Sequence, residues 1–283
     1  MKYKIIADSC CEFLPEWEND DRFQRIPLGL ELDGKIIMDD DSFKQEDFLK
    51  EVTSAKNCPK SFCPSPEQYF EAMDNDADMI FVFTLSSKVS GSFNSAAVGR
   101  SMAIAKAREE GKGRRKIFVC DSKSASGGET QLVIRCKQLL DEGRDFGDIC
   151  LKLMFMRNQM KTFFVLDNLE TLKKNGRLTG VKALATTALN IKPIMTVLDG
   201  EIRQSGTGLG THKAYEKMVE ELNELIKHSD TRTVIISQCN AYERAIEIKK
   251  LIEDTFKVKR VIIMDTKGIS TMYANDGGVI VTC

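Results

Sequence analysis

The sequence predicts an α/β protein of two packed domains, the first an open, mainly parallel sheet with helices on both faces and the second a smaller α/β unit. Three observations carry this. Short β-branched runs alternate with longer amphipathic ones, the pattern of a sheet covered by helices. The 283 residues are long for one compact core and natural for two domains of ordinary size. Small polar pairs follow apolar strands three times, at Asp8-Ser9, Ser86-Ser87 and Asp121-Ser122, and open α/β sheets bind ligands outside the carboxyl ends of their strands.

Taken in order, "KYKIIAD" reads as a strand, after which Ser9 is expected to cap a short helix. "RIPLGLELDGKIIM" reads as a strand, an Asp-Gly turn and a second strand. Phe43, Phe48, Leu49 and Val52 have helical spacing, and Ser-Pro opens a helix at "SPEQYFEAMDN". The strand "DMIFVF", a serine-rich helix start, the strand "KIFVCD" and a long helix within 124–142 complete the first unit. The second begins with a helix leading into the strand "FFVLD", then a helix ended by Asn175-Gly176. A small, apolar helix over "VKALATTAL" precedes an Asp-Gly hairpin at 199–200. "TRTVIISQ" and "VKRVIIMD" are strands, with helices around 211–227 and 240–254. The two domains are placed at 1–160 and 161–283, packed closely because no linker separates them.

A net charge of −1 excludes the Lys/Arg excess that nucleic-acid binding needs. No apolar stretch approaches the ~20 residues that span a bilayer, and "MKYKIIADSC" is too short in its apolar part for a signal peptide, so a cytoplasmic location without stable membrane insertion is expected. Nine cysteines, an odd number set mostly within apolar runs, read as reduced thiols. Neither Cys10-Cys11 nor Cys58 with Cys63 has metal or redox spacing, so no metal is expected. His212 and His228 are the only histidines, and both lie in charged helical pattern, which disfavours Ser-His or Cys-His catalysis. "GTGLGTHKA" is not G-x-G-x-x-G, since Thr211 stands where the third glycine belongs; it reads as a flexible loop with a Thr211 cap.

The most distinctive stretch is "FVFTLSSKVSGSFNSA", residues 81–96. Ser86, Ser87, Ser90, Ser92 and Ser95 offer more hydroxyls than one helix cap needs, and Gly91 admits close approach to the backbone. A helix start of this kind suits an anion, phosphate or carboxylate; a well-capped turn is the plainer reading.

Taken together, "IIADSCCEFLP", "IPLGLELDGK", "SFCPSP", "FTLSSKVSGSFNSA", "VCDSKSASGG", "FVLDNLETLKKNGRLTG" and "ALNIKPIM" resemble the DegV family of fatty-acid-binding proteins, in order along nearly the whole chain. The resemblance implies a long acyl chain, such as palmitate, stearate or oleate, buried in a tunnel, with no cofactor and no catalysis. It implies a carboxylate held by Ser61, in the position of a family Thr, and by Ser90, Gly91 and Ser92, which match a Ser-Gly-Thr motif. Arg177 and Tyr273 are implied behind the head group or toward a partner. Some family members are the acyl-carrying subunit of bacterial fatty acid kinase and present their cargo to an ATP-binding subunit. Here Gly210 stands where the family often has Arg, and Tyr273 where many members have His. The resemblance therefore carries lipid binding further than the kinase step. Two rivals remain at the same helix start: a serine-based acyl hydrolase using Ser90 or Ser92, which lacks G-x-S-x-G, and a binder of a phosphate-bearing small molecule.

Overall fold

The computed structural model describes residues 2–113, 115–178 and 190–283. The first half holds β1 (Tyr3–Asp8), β2 (Phe23–Ile26), β3 (Gly29–Leu32), β4 (Lys35–Met38), α1 (Gln45–Ser54), β5 (Lys60–Phe62), α2 (Pro66–Met73), β6 (Met79–Thr84), α3 (Ser92–Glu109), β7 (Lys116–Asp121), α4 (Gly127–Asp141) and α5 (Phe146–Gln159). The second holds β8 (Thr162–Val165), α6 (Glu170–Lys174), β9 (Ile191–Leu198), β10 (Glu201–Leu209), α7 (Gly210–Leu225), β11 (Thr233–Gln238), α8 (Tyr242–Thr255), β12 (Arg260–Asp265), α9 (Gly268–Ala274) and β13 (Val279–Thr282).

A four-stranded parallel sheet in the order β2-β1-β6-β7 forms the centre of the first half. Its strands are apolar on both faces, as parallel strands covered twice must be. Ile6, Ile80 and Val82 point to α2 and α3, where Tyr69, Met73, Ala96 and Ala103 pack on them. The alternate residues Ile5, Ala7, Phe81 and Phe83 face α4 and α5. In the second half a six-stranded mixed sheet runs β10-β9-β8-β13-β11-β12, with only β11 and β12 parallel. Helices α7 and α8 cover one face through Tyr215, Met218, Leu222 and Ile248. On the other face lies α4, which also packs against the first sheet. The Gln131 side chain of α4 donates to the carbonyls of Thr233 (2.6 Å) and Thr282 (3.2 Å), so one helix ties both sheets together.

Both Asp-Gly turns form hairpins, with Asp33, Gly34, Asp199 and Gly200 all at positive φ as two-residue hairpin turns of this hand require. The end of α6 at Asn175-Gly176 is also as expected: Arg177 N–H donates to the Leu172 carbonyl and Gly176 N–H to Lys173.

Three expectations are corrected. "RIPLGLEL" is two strands rather than one, because Pro27 cannot donate to a ladder and the chain passes there from the parallel sheet to a small antiparallel sheet, β4-β3-β5. Ser9 caps no helix: its hydroxyl accepts from Leu28 N–H (3.0 Å), and the short 3-10 turn Pro15–Trp17 starts from Leu14 without a side-chain cap. The glycine-rich segment at 206–210 is not a loop and Thr211 is not its cap; β10 runs to Leu209 and α7 begins at Gly210. The glycines suit packing rather than flexibility, since a Cβ on Gly208 would lie 2.3 Å from the Ala214 backbone nitrogen. The helix expected over "VKALATTAL" lies outside the described residues.

Candidate functional site

The carboxyl ends of the parallel strands are laced together by their own polar residues. Asp8 accepts from Leu85 N–H (2.9 Å) and Cys10 N–H (3.2 Å), joining the ends of β1 and β6. Asp121, at the end of β7, accepts from Ser87 N–H (3.1 Å) and the Ser87 hydroxyl (2.5 Å). The three polar pairs thus meet at one edge, but most of their capacity goes into tying loops to strands. Ser86 is the exception that reaches across the molecule, donating to the Gly200 carbonyl of the second hairpin (2.7 Å).

Beyond that edge lies a cavity of about 310 Å³ between the two halves, large enough for a small ligand. Leu28, Leu85, Phe164, Leu166, Val197 and Ile280 give it apolar walls drawn from both sheets and their loops. Its hydroxyls come from elements far apart in sequence. Ser61 is on β5, Ser90 and Gly91 precede α3, and Tyr273 is on α9. The Ser61 and Tyr273 hydroxyls share a hydrogen bond of 2.8 Å. Arg177 also lines the cavity; its Nε donates to the Val89 carbonyl (3.2 Å), Nη1 to the Asn175 carbonyl, and its guanidinium carbon lies 5.9 Å from the centre of the Tyr273 ring.

Four of the expected head-group and neighbouring residues therefore converge with Arg177 on one cavity: Ser61, Ser90, Gly91 and Tyr273. Ser92 does not line it. It is fully buried one turn behind, where its hydroxyl accepts from Ser90 Oγ (3.2 Å) and its N–H donates to the same oxygen (3.2 Å). Gly91 is the residue from which α3 starts and has no side chain of its own to cap it; the first amide, Ser92 N–H, goes to the Ser90 hydroxyl. A Cβ on Gly91 would sit 2.9 Å from Cys63 Sγ, so a side chain there would have to displace the thiol of β5's trailing residue. Gly210 is not part of the cavity lining; at φ +79°, its N–H donates to the Asn190 carbonyl (2.7 Å), a backbone conformation strained for arginine.

The cavity lining also holds groups that the sequence alone did not single out. Ser126 is buried at φ +56° and donates to both oxygens of Glu12 (2.9 Å each). Ser270 of α9 reaches the same region from the far end of the chain. The signal for Ser126 was present in "SASGGE"; nothing near Ser270 marks it. Burial pushes the Glu12 carboxyl up to about 7, against hydrogen bonds from Ser270 and Ser126 that favour its ionised form. Tyr273 is likewise raised by burial, partly offset by its bond to Ser61.

Neither histidine lines the cavity. His212 is at the exposed start of α7, paired with Glu247 and, at 3.2 Å, with Glu216, and hydrogen bonding to Glu247 raises its pKa. His228 is in the turn before β11. Ser90 thus has no imidazole base within its cavity. All nine cysteines are free, and among the described residues no cluster has the makings of a metal site. No helix among them is long and apolar enough to cross a membrane.

Two sheets clasping an apolar cavity with a hydroxyl-lined end define a binding protein for an amphipathic small molecule. The DegV family model matches residues 2–282, and the chain belongs to that family. A DegV domain-containing protein of Streptococcus gordonii is 30% identical over 286 residues, covering 99% of this chain and 98% of that one. A DegV family crystal structure from Ruminococcus gnavus, refined with vaccenic acid, is 42% identical with a TM-score of 0.95, covering 100% of this chain and 99% of that one. The Fatty Acid Kinase (Fak) B3 protein of Streptococcus pneumoniae, loaded with linoleic acid, is 28% identical with a TM-score of 0.89 over 100% and 99% of the two chains.

Proposed function

We propose that the chain is a non-catalytic carrier of one long-chain fatty acid, with the carboxylate at Ser61, Ser90 and Gly91, Ser92 behind them, and the tail along the apolar walls. The carrying observation is the juxtaposition of hydroxyls and the start of α3 with an otherwise apolar cavity shared by both halves. A carboxylate leaving water needs charge-assisted hydrogen bonds, and serines with helix-start amides supply them without a full positive charge in an apolar space. Each methylene buried along the walls contributes about 0.8 kcal/mol, so the tail offsets the desolvation of the head. The vaccenic acid of the similar Ruminococcus structure and the linoleic acid of the Streptococcus one support this reading. Residues 1–160 then carry most of the head-group site, while 161–283 complete it with Tyr273 and Arg177 and enclose the chain. Transfer of the cargo to an ATP-binding kinase subunit is supported by the likeness to the Fak B3 protein, while Gly210 offers no guanidinium for a phosphoryl group.

The test is to purify the protein, extract it with solvent and identify the released lipid by mass spectrometry. A stoichiometric fatty acid is expected. The double variant S61A/S90A is expected to retain about tenfold less acid, the equivalent of one charged hydrogen bond, with an unchanged fold by circular dichroism. Full retention in that variant removes the head-group assignment. Stabilisation by sugar phosphates and none by oleate would favour the phosphate-ligand reading instead.

A further inference from the structure

One corner of the cavity lining holds hydroxyls that the head-group site does not use. Ser124, in the loop before α4, and Thr162, the first residue of β8, both line the cavity and are buried, and their hydroxyls share a hydrogen bond of 2.7 Å. Two hydroxyls joined in this way use one proton between them and keep the other. Among the described residues the one further acceptor for it is the Ala125 carbonyl, 3.5 Å from Ser124 Oγ and beyond the range of a good O–H···O bond. Thr282 of β13 stands opposite Thr162 in the antiparallel register. The adjoining residues Lys161 and Cys283 exchange both backbone bonds (2.7 and 2.9 Å), so Thr162 and Thr282 form a non-hydrogen-bonded pair, the kind that brings side chains closest. Thr282 is fully buried, and its hydroxyl has no partner among the described residues.

The start of α4 is shaped around this corner. A Cβ on Gly128 would lie 2.1 Å from Ser124 Oγ, and one on Gly127 would lie 3.0 Å from Thr282 Oγ1, so the two glycines let both hydroxyls sit against the helix. The corner is remote from the head group. Leu166 shares an apolar cluster with Tyr273, and Thr162 lies up to roughly 13 Å before it at the rise of an extended chain, with Phe164 lining the cavity between them. An acyl chain whose carboxylate is at Ser61 and Ser90 therefore passes the corner near its middle. Buried hydroxyls without an acceptor cost free energy that an alkyl chain does not restore and an oxygen on that chain does.

We propose that the cavity takes a long-chain fatty acid carrying a hydroxyl near mid-chain, with Ser124 and Thr162 as the selecting contacts and Thr282 behind them. This rests on the fatty-acid reading of the cavity. The chain hydroxyl accepts the proton that the Ser124–Thr162 pair keeps, and free lone pairs on the corner's own oxygens accept the proton of the ligand. Selection is the difference between two fillings of one space: a plain alkyl chain leaves the corner unpaired, and a site built to hydrogen-bond a hydroxyl disfavours the analogue that lacks it.

The experiment is competition: the lipid-stripped full chain is incubated with equimolar 10-hydroxystearate, 12-hydroxystearate, 2-hydroxystearate and stearate, recovered, and its bound acids quantified by mass spectrometry. At least one of the mid-chain hydroxy acids is expected to be retained about fivefold over stearate, the equivalent of one hydrogen bond gained. The 2-hydroxy acid, whose oxygen stays at the head group, is expected to show no such gain. In T162V/T282V the mid-chain acids are expected to lose their advantage over stearate. Retention of both mid-chain acids at or below the level of stearate, an equal gain by 2-hydroxystearate, or a preference that persists in T162V/T282V overturns the proposal; the wild-type ratios decide it even if the variant does not fold. Stearate bound without any preference overturns this inference alone, whereas no acid bound at all overturns the fatty-acid reading as well, which separates the two failures.

Discussion

Two helix starts face the same cavity, and they are finished in opposite ways. At α9 the first amides are filled by the protein's own carboxylate: buried Asp39 accepts from Gly268 N–H (2.7 Å) and Ile269 N–H (2.8 Å) across the whole chain. At α3 a neutral hydroxyl takes that place: Ser90, on the cavity wall, accepts from Ser92 N–H (3.2 Å). The positive end of a helix attracts a carboxylate in either case. The difference shows that the molecule can finish such an end with a carboxylate of its own or with a neutral hydroxyl that faces a cavity, and that the choice is made by what the neighbouring loop delivers.

The largest effect is expected where the filled end is emptied. D39A removes the acceptor of two amides and should destabilise the fold by about 3 kcal/mol, read as a drop in the denaturation midpoint with unchanged slope. Asp39 is also raised by burial against those hydrogen bonds, so D39N, which keeps one acceptor, should cost less. Adding a carboxylate at the start of α3 is the converse. S90D places a carboxylate where the ligand's belongs, and retained fatty acid should fall by more than about tenfold while the lipid-free protein gains up to about 1 kcal/mol. A variant that still carries lipid would break the comparison.

Glu12 sharpens it, because its carboxyl is held by serine hydroxyls instead of amides. Its folded pKa of about 7 lies above the unfolded value, so its contribution to stability is fully present below about pH 4.5 and is lost as pH rises through about 7. Relative to E12Q, wild type should lose on the order of 2 kcal/mol between those limits, measured by urea unfolding. A pH-independent difference between the two proteins would contradict this. The smallest effect belongs to Y273F, which deletes one 2.8 Å hydroxyl contact with Ser61 and should weaken fatty-acid retention about threefold.

Much of this was legible locally. The parallel strands are continuous apolar runs and the hairpins carry Asp-Gly, so each element is specified by the residues within it. Ser61, Ser90 and Gly91 were marked by the family resemblance, and the serine-rich helix start by its composition alone. Ser92 belongs to the same motif yet faces away from the cavity, because hydroxyls two apart around a helix start cannot both face one side. The glycine-rich segment misled for a related reason: glycine before a helix has the same composition in a flexible loop as in a strand that must let α7 approach.

By itself, then, the sequence determined the α/β class, the hairpins, the end of α6 and the anion-suited start of α3, all consequences of propensity, capping and periodicity within a few residues. Only the tertiary structure decided that Asp39 closes α9, that Tyr273 meets Ser61 across 212 residues, and that Glu129 is buried with no donor of its own among the described residues. Such pairings depend on how two sheets pack about one shared helix, and burial there sets which carboxyls keep their protons.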